Sequence, residues 1–346
     1  MIRKNTFGNT GLEIPPIIFG TSALGNLYNA LEYDVKKNIV SECFKHTDAP
    51  VYFDTAGKYG AGLALEMMGK IFKDLEIKSE DVMISNKLGW KRVALKGMEP
   101  TFERGVWKDL KYDAVQNISY EGILECFEQG IELLGYDYVP QLVSVHDPDE
   151  YVLNDEDGNK DKKIENIVNA YKALEKLKKD GRVKAIGIGA KDWEIIKEIE
   201  QEVELDWIMF ANSMTIFKHP PELIEFMHNL NQKNIGIINS AVFHAGFLIG
   251  GDYFDYQEIK PDTKENKTIF KWREDFFELC KKYNIKPAIA CVQFGFTAPG
   301  VVAISLNTSN PKRILSNVES ATASVPEEFW KEMKNSGLID KNYPYV

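Results

Sequence analysis

The feature that most constrains this chain is an alternation. Short, nearly continuous apolar runs are separated by longer amphipathic stretches, and the unit recurs eight times. The runs are Ile17–Thr21, Tyr52–Thr55, Val82–Lys87, Gln141–His146, Val183–Gly189, Trp207–Ala211, Gly236–Ser240 and Val301–Leu306. Runs such as IIFGT, VMISNK and WIMFA have no polar face, which suits strands buried on both sides of a parallel sheet. Parallel neighbours need crossovers, and the stretches between the runs supply helices with sensible ends. Asp34 is expected to cap Val35–His46, and Tyr120–Leu134 stops at Gly135. The segment Ile164–Lys179 ends in two lysines before Gly181, and Pro220 and Pro221 open a helix that runs to Lys233. Eight such pairs in 346 residues favour an α/β fold closed into a (β/α)8 TIM barrel over an open sheet. No linker or composition break divides the chain. It reads as a single domain over 1–346, with a barrel core at 15–320 and a C-terminal extension at 321–346.

Composition narrows the function classes. The apolar share of 44% is ample for a large core, so a disordered chain is excluded. A formal charge of −10 disfavours nucleic acid and anionic membrane surfaces as partners, since both are gripped by clustered Lys and Arg. The N-terminal MIRKNTFGNTGLEIPP lacks the apolar core of a secretory signal, and no apolar run reaches the length of a membrane span. The four cysteines form no C-x-x-C pair and fall in predicted helices, so a cytoplasmic protein with reduced thiols is expected. The partner left by these exclusions is a small molecule.

The chemistry sits at strand ends. Asp54 closes the second run in YFDTAGKYG, with Tyr59 five residues on; Lys87 closes the third and His146 the fourth. In a barrel of this kind, the C-terminal strand ends and the loops after them build the active site. Alone, Asp54 would be a turn residue, Tyr59 a packed aromatic, Lys87 a solvated strand end and His146 a satisfied core histidine. Three consecutive strands each ending in an ionisable group argue for a convergent site instead. A lysine ammonium near the Tyr59 hydroxyl would lower its pKa, a carboxylate would hold the lysine, and a histidine would orient a substrate oxygen. That group transfers protons beside a carbon–oxygen bond. No metal is called for: there is no HExxH and no Cys/His cluster. Asp147 and Asp149 flank Pro148 and read as a turn rather than a carboxylate dyad.

The motif DTAGKYG, the Lys87 and His146 strand ends and the segment SLNTSNPKRILSN together resemble the aldo-keto reductases, from FGNTGLEIPPIIFGT to Asn317. Within that family, GTSALGNLY, SVHDPDE, NSAVFHAGFL and CVQFGFTAPG look most like the sugar 1-dehydrogenases. The resemblance implies an NAD(P)-dependent oxidoreductase with Asp54, Tyr59, Lys87 and His146 as its catalytic tetrad. The implied reaction oxidises the C1 hemiacetal of an aldose to a lactone, with Tyr59 taking the hydroxyl proton. Two other readings fit the same residues: an NADPH-dependent aldehyde or ketone reductase, and a nucleotide-binding, redox-sensing regulatory subunit.

The resemblance also implies a nucleotide site. Its residues would be Gly20, Thr21, Asp54, Asn212, Ser240, Ala241, Phe243, Thr308, Arg313 and Asn317. Asn310 and Pro311 look like the start of a helix, whose free N–H groups suit a phosphate. Arg313 matches a residue that meets a 2′-phosphate, whereas Asn307 stands where many NADP-preferring members carry lysine. These opposed features imply use of both NADP and NAD, with NADP modestly favoured. Ser240 replaces a common aromatic, which leaves Phe243 or Trp90 to supply the apolar surface. Gly189-Ala190-Lys191 replaces the usual Ser-Asn. Tyr28, Trp90 and His146 are the expected substrate contacts, with Trp107 and His244 as further candidates from the two long connections, 88–117 and 244–268.

Overall fold

The computed structural model describes residues 4–153 and 158–346. Eight parallel strands close into a barrel: β1 (Ile17–Gly20), β2 (Val51–Ala56), β3 (Val82–Leu88), β4 (Leu142–His146), β5 (Ala185–Ala190), β6 (Trp207–Ala211), β7 (Gly236–Ser240) and β8 (Val301–Leu306). Each pairs with its sequence neighbours, and β8 closes on β1 through Ile304 and Ile17. Every expected strand is present, within two residues at either end.

Side-chain parity along the strands sorts the two faces. Tyr52, Met83, Leu142, Ala185, Trp207, Ile238 and Ala303 fill the barrel interior. Phe53, Ile84, Val143, Ile186, Ile208 and Ile304 face outward into apolar clusters shared with the helices. Both parities are therefore apolar through the strand middles, which is why the runs carry no alternation. An N-terminal hairpin, Asn5–Thr6 against Glu13–Ile14, plugs the lower end with Phe7, 6.2 Å from Trp207. That hairpin is too short to show in the sequence as alternation.

Two helix starts differ from expectation. The first helix begins at Tyr33, with Glu32 at its cap and no side-chain cap bond. Asp34 lies inside the first turn, where its charge favours the helix dipole without capping it. The helix expected from Ile164 begins at Lys160, because Asn159 accepts a hydrogen bond from the Lys162 N–H. Its first turn is all charged and carries no apolar period. Asp147 and Asp149 also depart from a plain turn: Asp147 takes φ 45°, and a short helix, Pro148–Leu153, follows at once.

The two long connections have structure of their own. The first holds an antiparallel hairpin, Trp90–Ala94 with Tyr112–Gln116. The second holds a turn at Phe247–Ile249 and a small hairpin, Tyr253–Phe254 with Gln257–Glu258, before a helix starts at Lys264. Both stand over the C-terminal ends of the strands. After the barrel, Glu327–Asn335 forms a helix that buries Phe329, Trp330 and Met333. No helix among the described residues is long and apolar enough to cross a membrane.

Candidate active site

The barrel register sets the site. Asp54 pairs with Gly20 across β1 and β2, and His146 pairs with Gly189 across β4 and β5. Asp54 shares inward parity with Tyr52, Lys87 with Met83, and His146 with Leu142. The parity that fills the barrel lower down thus delivers the three ionisable groups at the top. Lys87 Nζ donates to Asp54 Oδ2 at 2.5 Å, and both side chains are buried. Tyr59 comes from the turn after β2, which is wedged against the chain after β1. A Cβ on Gly25 would sit 2.8 Å from the Tyr59 carbonyl carbon, and one on Gly60 would sit 2.2 Å from the Gly25 oxygen. Gly60 also holds φ 62°, so glycine is required there twice over. Held this way, the Tyr59 ring lies 4.8 Å from the Lys87 ammonium and stands edge-on to His146, centroids 5.5 Å apart at 83°. The four residues line one cavity of about 350 Å³, within the usual range for ligand sites.

Burial dominates the electrostatics. Burial pushes the Tyr59 hydroxyl well above the ordinary phenol range, and the charges of Asp54 and Asp147 push the same way. This differs from the expectation that the lysine would lower it, because the Lys87 ammonium is hydrogen-bonded to Asp54. The Asp54 carboxyl is itself raised by burial, with Lys87 opposing. His146 is driven well below the usual imidazole range by burial, and by the ammonium groups of Lys87, Lys58 and Lys191 against the pull of Asp147. The site thus presents a protonated phenol and a neutral imidazole at neutral pH. The His146 Nδ1 is buried with no hydrogen-bond partner among the described residues, and its Nε2 lies 3.5 Å from Asp147 Oδ2.

The cavity continues from the tetrad toward the start of the last barrel helix. Gly20, Ser240, Ala241, Phe243, Thr308, Arg313 and Asn317 all line it. Thr21 and Asn212 do not: the Thr21 hydroxyl donates to the Asp54 carbonyl, and Asn212 is buried at φ 58°, its N–H on the Ser240 carbonyl. Ser240 Oγ donates to the Phe210 carbonyl. Asn307 Oδ1 accepts the Ala23 N–H at 3.3 Å. Asn310 caps the turn at Pro311–Arg313 by accepting the Lys312 N–H. That first turn is 3-10 rather than α, and the helix proper is Ile314–Ser320. Arg313 is exposed, with no ion pair among the described residues.

At the opposite end, Tyr28 lines the cavity and stacks on Tyr253 at 4.3 Å. Trp107 lines it too, its Nε1 donating to Glu103. Trp90 does not reach the cavity; it packs against Phe102 beneath it, with the Lys58 ammonium 5.1 Å from its ring. His244 is also set back, fully buried and hydrogen-bonded to Thr215 and Asp255.

Sequence reasoning missed a charged wall. Lys58, one residue before Tyr59, is buried and paired with Glu103, Asp147 and Glu150. Lys191 pairs with Glu150 at 2.5 Å and lies 5.2 Å from the Tyr256 ring. Its position in the Gly189-Ala190-Lys191 departure was a signal; the pairings were not, since the partners lie 41 to 92 residues apart. Asp147 and Asp149 do separate. Asp147 faces the cavity, while Asp149 turns back to accept the N–H groups of Lys191 and Asp192.

A family profile described as Aldo/keto reductase family matches residues 16–337. A pyridoxal 4-dehydrogenase from Microbacterium luteolum is 26% identical over 97% of this chain and 98% of its own length. A D-threo-aldose 1-dehydrogenase from a Pseudomonas species is also 26% identical, over 95% of this chain and 96% of its own. Among solved structures, an aldo-keto reductase from Bacillus halodurans in its holo form is similar in fold. Its TM-score is 0.70 at 19% identity, covering 98% of this chain and 97% of that one.

Proposed function

The chain belongs to the aldo/keto reductase family, whose members are NAD(P)-dependent oxidoreductases, and we propose that it oxidises the C1 hemiacetal of an aldose to a lactone. The observation that carries this reading is the Tyr59 ring held between the Lys87–Asp54 pair and His146, in a cavity that runs on to Arg313.

The residues along that arm fit a nicotinamide nucleotide. Gly20 keeps its floor low, since a Cβ there would press to 3.3 Å on Asn307. Ser240, Phe243, Thr308, Asn317 and the exposed Arg313 would hold the nucleotide, which when bound supplies the hydride acceptor or donor. Tyr59 holds the proton at its hydroxyl oxygen and exchanges it with the substrate oxygen. The neutral His146 imidazole orients that oxygen by hydrogen bonding. Lys87, fixed by Asp54, places positive charge beside the Tyr59 ring and favours its anionic form during transfer. Trp107 and Tyr28 keep water from the substrate end. Use of both NADP and NAD is proposed, NADP modestly favoured. The four free, buried cysteines suit a cytoplasmic protein.

One observation favours the reverse direction as a second reading. A Tyr59 held protonated by burial is ready to donate to a carbonyl oxygen, as reduction of an aldehyde or ketone requires. The two are separated by following nicotinamide absorbance with an aldose panel plus NAD+ or NADP+, and with simple aldehydes plus the reduced nucleotides. Failure of every aldose, beside rapid aldehyde reduction, would overturn the first reading in favour of the second.

A further inference from the structure

The charged wall opposite the nucleotide arm has no part in proton transfer as derived above. Lys58 Nζ contacts Glu150 at 2.6 Å, Glu103 at 2.9 Å and Asp147 at 3.2 Å. The contacts to Glu150 and Asp147 are hydrogen bonds and that to Glu103 is an ion pair, so the Lys58 charge is shared among three carboxylates. Lys191 gives one donor to Glu150 and no other hydrogen bond from Nζ among the described residues, with about a third of its side chain exposed. The wall therefore sets two ammonium groups against three carboxylates, a net charge of −1. In a confined cavity such a charge is poorly screened.

The acceptors on this wall are placed for hydroxyl groups. Among the described residues, Asp147 Oδ1 accepts no hydrogen bond, and Asp147 follows His146 directly at the cavity surface. Trp107, Tyr28 and Tyr256 border the same space with aromatic faces. A carbon chain bearing hydroxyls on its edges and C–H bonds on its faces matches both surfaces.

We propose that Asp147, Glu103 and Lys191 form a subsite for uncharged polyhydroxyl chains that turns away substrates carrying a phosphate or a carboxylate. This rests on the reading of the Tyr59 cavity as the substrate site. Asp147 accepts from the hydroxyl next to the reacting carbon, and Lys191 donates to a more distant one. An added anion meets the uncompensated carboxylate charge.

The test is calorimetric titration of the NADP+-loaded protein with glucitol, glucitol 6-phosphate and gluconate, which differ at a terminal carbon. Glucitol is expected to bind at least about tenfold more tightly than either anion, since like charges brought together oppose binding. In the double variant Glu103→Gln/Glu150→Gln the wall becomes net positive, and the ratio should fall to one or invert. In Lys191→Met it becomes more negative, and the ratio should widen; this variant covers the case in which the double variant does not fold. Equal or tighter binding of the anions in the wild type, or a ratio unmoved by the substitutions, would overturn the proposal. Selective glucitol binding without turnover of any aldose would leave the subsite standing and overturn the aldose reading instead.

Discussion

The Lys87 ammonium lies 4.8 Å from the centre of the Tyr59 ring, yet its hydrogen bond goes to Asp54, 2.5 Å away. The lysine therefore acts on the tyrosine through space while its proton is held by a carboxylate. Burial and the charges of Asp54 and Asp147 outweigh that influence and keep the phenol protonated. The group is a poised acid at rest, and a base only when positive charge or high pH draws off its proton.

Tyr59→Phe removes the hydroxyl and leaves the ring packed against His146 and Trp107. Turnover should fall by roughly 10²–10⁴-fold, the usual worth of a general acid–base group. Nucleotide affinity and thermal unfolding should be nearly unchanged. A kcat within a few-fold of wild type, with the fold intact by circular dichroism, would remove Tyr59 from the proton-transfer step.

The pH dependence follows in sign. Reduction needs Tyr59 protonated, and its raised value keeps it so through about pH 10. Oxidation needs Tyr59 able to accept a proton, so its rate should climb with pH across the alkaline range. His146 is held neutral well below the usual imidazole range, so neither direction should show a step near pH 6.5. Initial rates in both directions between pH 6 and about pH 10 check this. An oxidation rate that levels off near neutrality would mean that the bound state lowers Tyr59 far more than the Lys58 charge does here.

What was legible in the sequence follows from distance along the chain. The barrel could be read because each strand carries its own apolar run and each crossover its own helical period. Asp54, Lys87 and His146 could be read because each ends such a run. Lys58 could not be told from a solvated loop lysine, since its carboxylates come from the loop after β3 and from Asp147 and the short helix that follow β4. Trp90 was expected at the substrate because it opens a long loop, but that loop folds into a hairpin and turns the indole under the site. Thr21 and Asn212 follow strand ends but are not among the residues lining the cavity, and the Thr21 hydroxyl is taken up by the Asp54 carbonyl.

Lys87→Met removes the partner of a buried carboxylate. Breaking a buried pair in this way typically costs about 3–5 kcal/mol, and the raised Asp54 would take up a proton to relieve it. Activity should drop sharply, and the double variant with Tyr59→Phe should be little worse than either single one, because the residues act as a unit. Unfolding in urea and single-turnover rates on the four proteins measure both effects. Additive losses in activity would separate Lys87 from Tyr59.

Lys58→Met should destabilise the fold by about 3 kcal/mol at neutral pH, the low end for a broken buried pair. The discount reflects Glu103 and Glu150, which keep 30% and 23% exposure and are partly screened. Burial opposes ionisation of Asp147, but the Lys58 and Lys191 ammonium groups hold its carboxyl below the usual range. A depressed carboxylate contributes stability above its unfolded value and loses it as pH falls through the folded one. The gap between wild type and variant should therefore narrow on acidification below about pH 4. A gap that widens there in urea titrations would show that Lys58 is not neutralising these carboxylates.

Arg313 is predicted to set the cofactor preference. Its guanidinium is exposed at the end of the cavity, without an ion pair among the described residues, and can meet phosphate oxygens with two donors. Asn307 is no substitute for a second cation, because its oxygen already accepts the Ala23 N–H. An exposed guanidinium at the cavity end, in a chain of net charge −10, predicts a modest preference for NADP over NAD, about 1–2 kcal/mol or roughly 5–30-fold. Arg313→Ala should weaken NADP+ binding and barely change NAD+ binding, so the preference should vanish or invert. Dissociation constants for both nucleotides in both proteins, at one ionic strength because the contact is screened by salt, test this. Equal weakening of the two nucleotides would mean that Arg313 holds a group they share, such as the pyrophosphate, and not the 2′-phosphate.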